Sequence, residues 1–383
     1  MGHILRICGR GTLSITISGL TSNQTSGIGD LMRASDAGAG FITLPASSLR
    51  GASSLVISGS PGQLMRLPSI FESNCSIPSD IPQKIKSLLD NYLRSDYKID
   101  CGGKVLDLGR RTHIMGILNM TPDSFSDGGQ FASVDHALAH AHEMVAAGAD
   151  IIDIGGESTR PGANPVSEDE ELRRVIPIIK RLSAELPVPV SVDTYKSSVA
   201  EKALEAGASM VNDISGLRFS PDMAKVVADS EAAIVIMHIK GTPRDMQQNP
   251  EYSDVVEEIT NFLEQRIHVA LKAGVNPEKI IVDPGIGFGK KLMHNLELLK
   301  RLDEFKGLGR PIMLGTSRKK FIGTVLDIPL PEQRVIGTAA TVAFGIERGA
   351  AIVRVHDVAH MVQVARMTDA LVNTGFQNQT ANQ

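Results

Sequence analysis

The feature that most constrains this chain is a rhythm that begins near residue 113. Short apolar runs rich in β-branched residues recur, each followed by a longer stretch with helical spacing. Eight such runs can be counted: HIMGILN (113–119), DIIDIGG (150–156), VPVSVDT (188–194), ASMVNDIS (208–215), AAIVIMH (232–238), KIIVDPG (279–285), PIMLGTS (311–317) and AAIVRVH (350–356). Between them lie helical patterns such as VDHALAHAHEMVAAGA (134–149), EDEELRRVIPIIKRLSAEL (168–186) and DVVEEITNFLEQRIHVALKAG (254–274), the last stopping at Gly274. Alternating strand and helix implies a parallel sheet, and eight repeats in this length match an α/β fold closed as a (β/α)8 TIM barrel. A doubly wound open sheet is the competing arrangement, but no G-x-G-x-x-G follows the first run. The similar cluster GIGFGK (285–290) follows the sixth run and lacks one residue of a Walker loop, so it reads as a turn with close backbone approach.

Residues 1–100 differ in texture and suggest a small N-terminal α/β appendage of unassigned function, ahead of a barrel at 104–375 and a polar C-terminal tail at 376–383. In PQKIKSLLDNYLRS (82–95), Ile85, Leu88, Leu89, Tyr92 and Leu93 form one helical stripe. SLVISGSPGQLMRL (54–67) suits a strand, a tight turn and a helix, and KVLDLGRRTHI (104–114) a hairpin closing the barrel floor.

Composition removes several classes of function. With 42% apolar residues, 21% charged residues and a net charge of -4, no global basic field exists to hold nucleic acid or an anionic membrane. Aromatic residues are 4% and Trp is absent, against a base-stacking surface. No apolar stretch reaches the roughly 18 residues of a membrane span, and LSITISGL (13–20) is too short and interrupted for a signal peptide. Cys8, Cys75 and Cys101 match no zinc spacing and leave one thiol over in any disulfide scheme, which suits reduced thiols in a cytoplasmic protein.

Barrel chemistry sits at the C-terminal ends of the strands. Here the runs end at or near Asn119, Glu157, Asp193, Asn212 with Asp213, His238, Asp283, Ser317 with Arg318 and Lys319, and Arg354 with His356. Arg160, Arg318, Lys319, Arg354 and His356 offer cationic donors for an anion. Arg354 and His356, two apart on a strand, face the same way and with the Asn119 amide could grip phosphate oxygens, beside the hydroxyls of STRPGA (158–163). The carboxylates call for a planar ligand with adjacent N–H donors: Asp283 is best placed, with Asp193, Asn212 and Lys319 for other ring atoms and Met237 and Phe288 over the ring faces. Plainer roles stand beside these. His136, His140 and His142 suit a helix surface better than a metal site, Lys319 could instead form a Schiff base, and Asp123, Ser124 and Asp127 could simply solubilise a loop.

Taken in order, MGILNMTPDSFSDGG (115–129), GGESTRPGA (155–163), SVDTYK (191–196), VNDISG (211–216), MHIKGTP (237–243), DPGIGFGK (283–290), TSRKKF (316–321) and RVHDV (354–358) closely resemble the dihydropteroate synthase family of the folate pathway. The resemblance implies condensation of a dihydropterin-methyl pyrophosphate with 4-aminobenzoate, with Mg2+ as cofactor and a homodimer as the assembly. It implies catalytic roles for Asn119, Asp193, Lys319, Arg354 and His356, and pterin contacts from Asp193, Asn212, Met237, Asp283, Phe288 and Lys319. Asn119, Thr159, Arg160, Arg354 and His356 would hold pyrophosphate, with Asn119 also toward the metal; Thr159, Pro161, Phe288 and Ser317 would surround aminobenzoate. The loop after the first strand, with Phe125, Gly128 and Gly129, would act as a cover. The family departs from this chain near Lys240 and Lys320, at the outer rim. A pterin-dependent methyltransferase on a related barrel is the alternative, and would have no need of the anion grip.

Overall fold

The computed structural model describes residues 4–34, 38–44, 53–72, 77–120, 129–160 and 162–372. Cys75, Asp123, Ser124, Phe125, Asp127, Gly128, Pro161 and the tail at 376–383 lie outside the described residues. The chain divides into two units, Met1–Arg94 with Asp303–Gly309, and Ser95–Leu302 with Arg310–Gln383.

The N-terminal unit is built on four antiparallel strands, β1 (Ile4–Arg10), β2 (Thr12–Leu20), β3 (Gly40–Leu44) and β4 (Ser53–Gly59), in the order β1-β2-β4-β3. Along β2 a strict alternation sorts the faces. Leu13, Ile15 and Ile17 are buried, while Ser14 meets Ser58 at 2.8 Å and Ser18 accepts from Ser54 at 3.0 Å. The apolar face packs with Ile28, Leu64, Leu67, Phe71, Ile81, Ile85 and Leu89 of the unit's helices; burying each such side chain contributes about 1.5–3 kcal/mol. After β4, Ser60 starts the expected helix with a capping box: its hydroxyl accepts the Gln63 N–H at 3.3 Å, and its own N–H donates to Gln63 Oε1 at 2.7 Å. The helix Asp80–Leu93 buries Ile81, Ile85, Leu89 and Tyr92, whereas Leu93, expected in the stripe, is 43% exposed. The Tyr92 hydroxyl donates to Asp303 Oδ2 at 2.9 Å, and the same oxygen accepts the Gly9 N–H at 3.1 Å.

The second unit opens with a hairpin, β5 (Lys98–Cys101) and β6 (Lys104–Asp107). It lies earlier in the chain than the hairpin expected at 104–114. Gly102 and Gly103 have positive φ and Asp100 Oδ1 accepts the Gly103 N–H at 2.7 Å, so the chain reverses there and β6 pairs backward. Eight parallel strands then close a barrel: β7 (His113–Asn119), β8 (Ile151–Gly155), β9 (Val190–Asp193), β10 (Met210–Asp213), β11 (Ala233–Met237), β12 (Ile280–Asp283), β13 (Ile312–Leu314) and β14 (Ala350–Val355). Closure is direct, since β7 pairs with both β8 and β14. Ile99, Cys101, Leu106 and Leu108 of the hairpin region pack with Met115, Ile151, Met210, Val235, Ile281, Met313 and Ile352 inside the barrel. That shared core places the division between units at Arg94 and Ser95 rather than at residue 100.

Helices follow the strands as expected, among them Glu168–Glu185 and Val255–Lys272. Gly274, at φ +98°, ends the latter, with the Val275 N–H donating to Ala270 O at 3.0 Å. Among the described residues no helix is long and apolar enough to cross a membrane.

Candidate active site

Polar residues end nearly every strand, but the period of two sends them to opposite sides. Asp213 and His238 take the parity that points away from the mouth, whereas Glu157, two residues past the end of β8, has left the strand and its alternation. Asp213 accepts the Ser215 and Leu217 N–H groups at 2.7 Å each and so fixes a turn in which Leu217 has φ +62°. His238 Nδ1 lies 3.0 Å from the buried Lys290 Nζ, which also donates to Phe288 O at 2.9 Å. Glu157 is bound to Lys196 and Tyr195.

The mouth holds the other parity. Asp193 and Asn212 stand side by side in register, and both are buried. One layer below is Asp153, 0% exposed, which lies within its apolar run rather than at the run's end. Its Oδ2 accepts Asn212 Nδ2 at 3.0 Å and Arg354 Nε at 2.6 Å, while Arg354 Nη2 donates to Asp193 Oδ2 at 2.7 Å. A single guanidinium is thus shared by two carboxylates, the fork geometry for which Arg is suited. Burial and the neighbouring Asp153 charge push the Asp193 carboxyl up to about 7 against the pull of Arg354. The signal for Asp153 was a carboxylate inside IIDIG, with Ile151, Asp153 and Gly155 on one face and Ile152 and Ile154 on the other.

Three buried oxygens here, Asp153 Oδ1, Asp193 Oδ1 and Asn212 Oδ1, accept no hydrogen bond from the described residues. A buried acceptor left unmatched costs about 1–3 kcal/mol, so the pocket suits a ligand edge rich in N–H groups. On the facing side Asp283 is buried, with Oδ1 accepting the Gly285 N–H at 2.7 Å. Burial raises its carboxyl pKa above the usual range. Lys319 donates to Ile286 O and places Nζ 4.7 Å from the Phe288 ring centre; burial lowers its ammonium pKa to about 8. Met237, opposite Asp283 in register, shares a cluster with Ile214, Ile239 and Phe288. This brings together Asp193, Asn212, Met237, Asp283, Phe288, Lys319 and Arg354.

The GIGFGK turn has the close backbone approach its glycines imply. Gly285 sits at φ +69°, and a Cβ there would stand 1.9 Å from His238 O; at Gly289 it would stand 2.6 Å from Lys240 O.

The anion rim is less cationic than the sequence suggests. Arg318 is bound to Asp357 at 2.6 Å. His356 places Nδ1 3.0 Å from Ser317 Oγ, and burial with the Arg354, Arg318 and Arg160 charges pushes its pKa down to about 4, so the imidazole is neutral near pH 7. Ser317, expected beside aminobenzoate, is buried in that contact. Arg160 is exposed, Thr159 is half-buried, and Asn119 ends β7 in register with Gly155 and hence Asp193. His142 meets Glu185 at 3.1 Å on the surface, and no group of three or more His, Cys, Asp or Glu able to hold a metal occurs among the described residues.

Barrel and pocket together define a pterin-binding enzyme, and residues 115–356 match the family described as pterin binding enzymes. A dihydropteroate synthase of Bacillus subtilis is 53% identical over 272 residues, 70% of this chain and 92% of the relative. A solved dihydropteroate synthase of Clostridium difficile, determined with pteroic acid, is 54% identical at a TM-score of 0.66, covering 70% of this chain and 98% of that one. One from Xanthomonas albilineans, determined with 4-aminobenzoic acid, is 46% identical at a TM-score of 0.68, covering 73% and 98%. The chain belongs to the dihydropteroate synthases, transferases of folate synthesis. Residues before 115 lie outside the family match.

Proposed function

We propose that this chain joins 6-hydroxymethyl-7,8-dihydropterin pyrophosphate to 4-aminobenzoate, giving 7,8-dihydropteroate and pyrophosphate. The observation that carries this reading is the convergence of three unmatched buried acceptors, on Asp153, Asp193 and Asn212, opposite Asp283 and Lys319. The pterin's N–H edge satisfies the acceptors, Lys319 donates to a ring heteroatom, and Met237 and Phe288 cover the ring. Arg354, Arg160 and the neutral His356 meet the pyrophosphate, with Thr159 and the segment around it toward aminobenzoate.

The aniline nitrogen is a weak nucleophile, so departure of the leaving group is the step to assist. The bond from the pterin methylene carbon to the pyrophosphate oxygen breaks first, Asp193 faces the developing cation, and the amine then bonds to that carbon and loses a proton. Among the described residues the donor set offers Mg2+ one amide oxygen, from Asn119, which suits a cation carried by the substrate, since Mg2+ commonly keeps waters and substrate phosphate oxygens. Bound there, it would neutralise charge on the leaving group. The same reading includes a homodimer that covers exposed apolar side chains on neighbouring helices, Ile336 at 79%, Met367 at 61% and Leu371 at 72%.

Pyrophosphate release and dihydropteroate formation, followed together in the full-length chain, provide the test. Product is expected only with both substrates, with slow pyrophosphate release when the amine is omitted. No product with both present overturns the assignment, and release strictly dependent on the amine overturns the stepwise path.

A further inference from the structure

Beside the mouth lies a cluster of ions that the chemistry above does not use. Lys196 Nζ is 2.5 Å from Glu157 Oε2 and 2.5 Å from Glu171 Oε2, and it donates to Val166 O at 2.7 Å. Glu157 Oε2 also accepts the Val166 N–H at 3.2 Å, and Glu157 Oε1 accepts the Tyr195 hydroxyl at 2.7 Å. The side chains of Lys196, Glu157 and Glu171 are 12%, 7% and 1% exposed.

Two aspects of this arrangement go beyond packing. Both backbone polar groups of Val166 end in the same ion pair, so the two ends of segment 157–166, at Glu157 and Val166, are tied to each other. The tie is made by Lys196, which stands three residues after Asp193 and begins the helix Ser197–Glu205. Its three N–H donors are spent on three elements: the end of the second barrel strand, the start of the following helix at Glu171, and the segment between them. A buried ion cluster is a poor way to gain stability, since apolar residues of the same volume serve as well or better. What it does supply is register between the second and third strand-to-helix connections.

We propose that Lys196, with Glu157 and Glu171, is a positioning residue for the aminobenzoate half of the reaction, holding Thr159 and Arg160 of segment 157–166 in fixed relation to the strand that carries Asp193. This rests on the reading that Thr159 faces aminobenzoate.

The test uses full-length Lys196→Met and the near-isosteric Glu157→Gln, which keeps the fold measurable should the first variant fail to fold, with Thr159→Ala as a control on the site assignment. Steady-state constants for both substrates, calorimetric affinity for the pterin pyrophosphate and thermal melts are measured well below the melting temperature. The expected result is a rise of about tenfold or more in the aminobenzoate KM, the scale of loss when a bound group is misplaced, with a smaller loss of pterin pyrophosphate affinity, since of that ligand's partners only Arg160 lies on the segment. A merely structural role would lower the melting temperature and the active fraction while leaving both KM values in place, and that result overturns the inference. If Thr159→Ala raises the aminobenzoate KM and the cluster variants do not, positioning by Lys196 fails while the site assignment stands. If Thr159→Ala has no effect on that KM, the site assignment fails and takes the inference with it.

Discussion

Lys319 and Asp193 face one pocket with displaced proton affinities, the lysine near 8 and the aspartate near 7. Burial drives both away from their charged forms, down for the ammonium and up for the carboxyl. Below pH 7 Asp193 takes up a proton and no longer faces a developing cation with negative charge; above pH 8 Lys319 loses its proton and its charge. The expected profile of kcat/KM against pH is therefore a narrow bell with limbs near these two values, since that ratio reports the unliganded enzyme. Lys319→Arg should move the alkaline limb beyond the measurable range, because a guanidinium does not titrate there; an unmoved limb would assign it to another group. Most of the pocket was legible in the sequence because Asp193, Asn212, Asp283 and Arg354 sit where apolar runs end. Asp153 was not, since a carboxylate within IIDIG shows its direction only once the inward parity of that strand is known. Nor was the reach of Arg354 to Asp153, 201 positions away, which follows from barrel closure. The neutrality of His356 was equally hidden, being set by burial and by charges from other elements.

Among the elements, barrel strands and their helices follow the sequence pattern closely, because β-branched runs and the turn residues that bound them agree with one another. The N-terminal sheet was harder to read. In TLSITISGL the alternation of Leu13, Ile15 and Ile17 with Ser14, Thr16 and Ser18 is a strand signal, but its hydroxyl-rich outer face dilutes the apolar content. The connection after β12 makes the sharpest mechanical demand, and two glycines distinguish strain from collision. Gly285→Ala adds a Cβ against the His238 carbonyl at a positive φ, whereas a Cβ added at Gly162, at φ +79°, meets no other described residue within 4 Å beyond its chain neighbours. Gly285→Ala should cost roughly 3 kcal/mol or more, combining strain with displaced backbone, and Gly162→Ala about 1–2 kcal/mol from strain alone. Urea unfolding of the two variants checks the difference; equal losses would mean that the turn yields freely.

For the whole molecule, the dimer reading predicts that Ile336→Asp combined with Met367→Asp yields monomers by sedimentation velocity, with little change in monomer stability because both side chains are exposed. A wild-type chain that sediments as a monomer would remove that reading. The two-part make-up of the N-terminal unit has its own consequence. Its Tyr92 hydroxyl reaches Asp303, 211 positions later in the chain. At a synthesis rate of roughly 5–20 residues per second, about 10–40 s separate emergence of the two from the ribosome. During that interval the N-terminal sheet waits without Asp303, the residue that accepts from both Gly9 and Tyr92. The N-terminal sheet, made ahead of the barrel, is therefore completed late: its finishing piece arrives only after six of the eight barrel strands have been synthesised.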